Sequence, residues 1–187
     1  TGYGSVPYWN AYVGVTEMHG SGTFFDARLS DKGQFPVSAK SGQDNVRGTP
    51  DRITPMLPAL HFYQLAIPAP KAPAGSYDQA AAMAGKAVFN GKAKCARCHV
   101  PPVFTEPGNN LHTPEEVGVD SFQADRSPTH MYRTAPLRGL WSHQKSGFYH
   151  DGRFATLNDV VEHYDGFLKL GLNPQEKKEL VEYLKSL

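Results

Sequence analysis

Apolar and polar positions alternate at helical spacing most clearly in the second half of the chain. Ser76-Tyr-Asp-Gln79 reads as a capping box opening a helix that carries Ala80, Ala81, Met83, Ala84, Ala87 and Val88. Thr156-Leu-Asn-Asp159 opens a second helix in the same way. Leu157, Val160, Val161, Tyr164 and Leu168 form its apolar face, and Gly171 follows its end. Asn173-Pro-Gln-Glu176 opens a third, with Pro174 at the favoured first position and Leu180, Val181, Leu184 and Leu187 on its inner face. Strand signals are scarce, so 76–187 is expected to be mainly α.

The first half is less regular. Trp9 to Met18 and Ile53 to Ile67 each have a weak helical pattern. Between them the Gly/Ser/Asp/Lys-rich stretch from Ser21 to Arg52 reads as loop. The boundary is Ala66-Ile-Pro-Ala-Pro-Lys-Ala-Pro-Ala-Gly75, whose spaced prolines favour an extended, semi-rigid spacer. The expected organisation is therefore an aromatic-rich segment 1–66, a Pro-rich linker 67–75 and a helical domain 76–187. A 66-residue segment with so much loop buries little surface alone, so it is expected either to pack on the second half or to be part of a larger, upstream domain.

Composition sharpens this picture. With 19 basic and 18 acidic residues the net charge is +1, which argues against nucleic acid as the main partner. No apolar run reaches the roughly 18–20 residues of a membrane span. Fifteen prolines and eighteen glycines in 187 residues point to long ordered loops between few helices. The residues from Thr1 onward lack the charged and apolar pattern of a signal peptide, so a signal is expected to have been removed or to lie outside this sequence.

The two cysteines carry the chemistry. Cys95-Ala-Arg-Cys98-His99 has the spacing of covalent haem attachment. Two thiols three positions apart can each form a thioether to one porphyrin vinyl, and the adjacent histidine is then placed to bind iron. A redox dithiol would need a βαβ setting, which is missing. A zinc site would need two further ligands, and there is no second cysteine pair. Haem attachment of this kind takes place outside the bacterial inner membrane, so a periplasmic location is expected.

The second axial ligand sets what such a haem does. Downstream candidates are Met131, His150, His163 and Tyr164. Tyr164 shares the apolar face of its helix, whereas His163 lies on the flank beside Asp159. An inward tyrosine is often a core residue and a loop methionine often a gap filler, so periodicity leaves Met131 and Tyr164 both open. Arg133, Arg138 and Arg153, with His150, flank the same region and suit anionic haem propionates. Trp141 fits a packed aromatic better than an electron relay.

Residues 77–187 also resemble a known family. The runs Gly85-Lys-Ala-Val-Phe-Asn-Gly91, Cys95-Ala-Arg-Cys-His99, Tyr132-Arg-Thr-Ala-Pro-Leu-Arg-Gly139, Phe148-Tyr-His-Asp-Gly-Arg-Phe-Ala-Thr-Leu157, Val160-Val-Glu-His-Tyr164 and Glu182-Tyr-Leu-Lys-Ser-Leu187 occur in the order seen in the C-terminal haem domain of bacterial di-haem cytochrome c peroxidases and their MauG-like branch. The resemblance implies a cytochrome c-like helical haem domain with long loops. It implies one haem c here, His99 as proximal ligand, and Tyr164 at the place where the MauG-like branch uses tyrosine. It implies a second haem in an upstream domain, calcium between the domains, and a small cytochrome or cupredoxin as redox partner. The activity implied is peroxide reduction in a larger oxidoreductase. The alternative is a mono-haem electron carrier with Met131 as ligand and no catalysis of its own.

Overall fold

The computed structural model describes residues 6–106, 110–143 and 145–187. The described residues form a mainly helical fold with one small antiparallel sheet and long loops. They divide into two compact units, residues 1–68 and 69–187. Among the described residues no helix is long and apolar enough to cross a membrane.

In the first unit, α1 (Val6–Tyr12) runs into a wider turn, Val13–Glu17. Helix α3 (Leu57–Ala66) packs on α1, and Asn10 and Gln64 exchange side-chain hydrogen bonds across the pair. The stretch expected as loop holds more structure than its composition announces. Strands β1 (Thr23–Phe25) and β2 (Asn45–Arg47) pair with Phe24 opposite Val46, and the short helix α2 (Pro36–Ser41) lies between them. Three-residue strands are too short for an alternating pattern to register in sequence. Tertiary partners hold them instead: Phe24 is buried against the rings of Tyr8 and Tyr12, and Asp26 is bonded by Tyr8 and Arg28.

The second unit is built on α4 (Gln79–Asn90), α6 (Leu157–Leu168) and α7 (Pro174–Lys185), with the single turn α5 (Pro114–Val117) in the long connection. Thr156 and Asp159 close a reciprocal cap on α6, as Asn173 and Glu176 do on α7. On α4 the cap is Asp78, not Ser76: Asp78 accepts from Ala81 N, while Ser76 bonds back to Pro73 O.

The buried face of α4 also differs from the periodic reading. Ala82, Gly85 and Phe89 are buried, and Met83 is exposed. Because this helix is apolar around most of its circumference, periodicity could not choose a side. Gly85 chooses it, since a Cβ there would come within 1.9 Å of the Glu179 carbonyl oxygen on α7. Only glycine permits that approach.

The core forms where these helices meet. Phe89 is fully buried, with its ring 5.2 Å from Tyr183 and 5.9 Å from Phe104. Leu157, Val161, Leu180, Val181, Leu184 and Leu187 complete it. Leu168, expected on the inner face of α6, is exposed because the helix ends there, with Lys169 in the left-handed region. Lys177 on α7 bridges Glu162 and Asp165 on α6 at 2.6 and 2.8 Å.

Candidate functional site

The cysteine motif follows directly from the end of α4. Gly91 caps the helix, Lys94 takes a φ of 57°, and Cys95–Arg97 wind into a 3-10 turn. Cys98 N and His99 N both donate to Cys95 O, at 3.3 and 2.9 Å. This turn sets two free, half-buried thiols and a half-buried histidine on one local fold. Cys95 and Ala96 pack against the edge of the core. Burial pushes the Cys95 thiol up to about 11 and raises that of Cys98, where Glu106 and Glu116 add to the effect. Neither thiol is poised as a solvent-exposed thiolate nucleophile.

His99 Nδ1 lies 3.1 Å from Phe104 O. A carbonyl oxygen only accepts, so Nδ1 carries the proton and Nε2 keeps its lone pair. Burial lowers the pKa of His99, with the Phe104 and Ala135 carbonyls opposing it in part. The ring is therefore neutral near pH 7, with its tautomer set for metal ligation through Nε2. Phe104 itself holds a φ of 56°, and its carbonyl also accepts from Leu137 N at 3.3 Å.

Tyr164, half-buried on α6, lies within electrostatic range of both Cys95 and Cys98. Burial raises its phenol pKa, and a neighbouring Tyr149 hydroxyl pulls it back. Tyr149 stands at a φ of 70°, with its ring 6.2 Å from that of Tyr164. Its buried hydroxyl has no hydrogen-bond partner.

These residues suit a covalently held porphyrin: two thiols for thioethers, a neutral histidine protonated on Nδ1, and a phenol on α6 near both thiols.

The other candidates make their contacts elsewhere. Met131 is exposed. Arg138 donates to Pro102 O at 2.7 Å and lies over the Phe104 ring, beside the motif loop. Arg133 is half-buried between Tyr132 and buried Thr134. His150 and Arg153 both bond Asp120, and Arg153 also pairs with Asp151. His150 stacks between Phe122 and Tyr132. His163 bonds Gly118 O at 3.0 Å and joins Phe154 and Phe167 in an aromatic group. Trp141 donates to Pro70 O, fastening the proline-rich stretch.

One cluster was not visible in the sequence. Glu106 and His112 are buried, and Cys98, Glu106 and His112 place ligand atoms within 4.8 Å of one another. His112 Nε2 bonds Glu106 Oε2 and its Nδ1 lies 3.1 Å from Glu116 Oε1. Thr134 Oγ1 donates to Glu106 Oε2 at 2.6 Å. Carboxylates on both ring nitrogens require both to be protonated, so His112 is an imidazolium clamped between two acids. The only sequence trace is the Glu106 to His112 spacing, which matches no helical or strand period.

No protein-family model, no curated protein and no solved structure matches this chain.

Proposed function

We propose that this chain holds one c-type haem through Cys95, Cys98 and His99 and transfers electrons within a di-haem cytochrome c peroxidase-like oxidoreductase of the periplasm. The observation that carries the reading is the His99 Nδ1 to Phe104 O bond at 3.1 Å. It presents an unprotonated Nε2 immediately after two thiols at haem-attachment spacing.

When bound, the haem supplies one-electron storage at an iron whose potential follows its axial ligands. The chain's own residues do the rest. Cys95 and Cys98 would hold the group through thioethers, His99 would offer Nε2 to its iron in a set tautomer, and Tyr164 would offer its phenol oxygen as a second ligand. Arg138, which bonds Pro102 O beside the motif loop, is a candidate partner for a propionate. In the whole enzyme, hydrogen peroxide takes two electrons and two protons to give two waters. This chain would relay those electrons from a small cytochrome or cupredoxin donor to the upstream haem. Calcium would belong to that larger assembly.

The ligand set is tested by the ferric spectrum of the holoprotein. Loss of tyrosinate features in Tyr164→Phe, with Met131→Ala unchanged, is the expected result. A methionine charge-transfer band that disappears in Met131→Ala would establish the mono-haem carrier instead.

A second reading rests on the Cys98, Glu106 and His112 cluster, which offers sulfur, oxygen and nitrogen donors to a divalent metal such as zinc. Glu116 would orient His112 from behind. This reading leaves Cys95, His99 and Tyr164 without a task, and it requires His112 to give up a ring proton and Cys98 to ligate as a thiolate outside any thioether.

A further inference from the structure

We propose that Tyr149 is a positioning residue whose hydroxyl donates a hydrogen bond to the phenolate oxygen of Tyr164, holding that ligand on the iron and tempering its electron donation. The inference rests on the assignment of Tyr164 as distal ligand.

Three observations converge on it. First, Tyr149 Oη is buried and unpartnered, a costly state for a hydroxyl. Second, the two rings are 6.2 Å apart and tilted by 33°. Third, Tyr149 takes a φ of 70°, a region that bulky residues rarely adopt without compensation.

The surroundings impose that backbone. Phe148 N donates to Phe154 O at 2.7 Å, and Gly152 N closes a turn onto Tyr149 O. The edges of Phe154 and His163 then clamp the Tyr149 ring, at 4.9 and 5.8 Å. A loop that pays backbone strain to bury a hydroxyl beside Tyr164 is explained if that hydroxyl has an acceptor there. A neutral phenol keeps its proton and can accept as well as donate, so either member of the pair can be the donor. A phenolate on iron has lost that proton and keeps lone pairs free to accept.

A hydrogen bond to an anionic ligand withdraws charge from it, so the ligand donates less strongly to ferric iron. Removing the donor should therefore lower the reduction potential and move the phenolate-to-iron charge-transfer band to longer wavelength.

The test uses the holoprotein and two variants, Tyr149→Phe and Tyr164→Phe, read by resonance Raman, electronic spectra and potentiometric titration. Tyr149→Phe is expected to keep the tyrosinate modes, with a red-shifted band and a more negative potential. In the unaltered protein, transfer to heavy water should shift the iron–phenolate stretch, and that shift should vanish in Tyr149→Phe. Tyrosinate modes with no isotope shift in the unaltered protein would overturn the proposal even if the variant fails to fold. So would a Tyr149→Phe protein with the wild-type band and potential. A Tyr164→Phe protein with the wild-type spectrum would remove the underlying ligand assignment, and the proposal with it.

Discussion

A backbone carbonyl sets the tautomer of His99, whereas two carboxylates set the charge of His112. The sign of each pH effect follows from these partners. The hydrogen bond that His112 donates to Glu106 raises its pKa above the ordinary 6.5. Burial would push Glu106 up, but its bonds from His112 and Thr134 prevail and bring it below its ordinary 4.5. The imidazolium therefore stabilises the fold fully below 6.5 and loses that contribution as pH rises through its folded value. The carboxylate stabilises it above 4.5 and loses that contribution as pH falls through its own. The clamp is strongest between those limits. Denaturant midpoints measured at about pH 5.5 and about pH 9 should converge between wild type and His112→Gln at the higher pH. An equal gap at both would mean that His112 is not held as a cation.

At the scale of elements, glycine and caps decide what periodicity cannot. Gly85→Ala drives a Cβ into the α7 backbone and should cost about 1–3 kcal/mol or more of unfolding free energy. Gly166→Ala on α6 meets nothing within 4 Å and should be neutral or stabilise by up to about 1 kcal/mol. Equal effects of the two in thermal or denaturant unfolding would remove the close-approach explanation. Thr156→Ala should cost about 1 kcal/mol by opening the reciprocal cap of α6. The legible parts of the sequence were those with local causes: the caps of α6 and α7, the inner face of α7, and the motif at Cys95 to His99. The face of α4 was not legible, because its apolar residues surround it and the deciding contact lies on another helix. The β1/β2 pair and the Glu106 to His112 clamp were hidden for a similar reason. Each joins short or loop-borne residues through partners distant in sequence, where no period reports them.

At the scale of the whole molecule, the second unit offers a helical core whose edge presents two thiols, a neutral histidine and a phenol. The first unit contributes a separate aromatic and two-stranded assembly. Nothing in the thiol chemistry suits a free nucleophile, and the tautomer of His99 suits a metal. One haem per chain is the central claim, and the intact mass of the chain, produced by export with a haem-attachment apparatus, tests it most directly. The predicted result is a mass gain of one covalent haem that survives denaturation, with a matching pyridine haemochrome spectrum, and its loss when Cys95 and Cys98 are both replaced by alanine. An unaltered mass with two titratable thiols would contradict it, and bound zinc released by Cys98→Ala would then favour the cluster at Glu106 and His112.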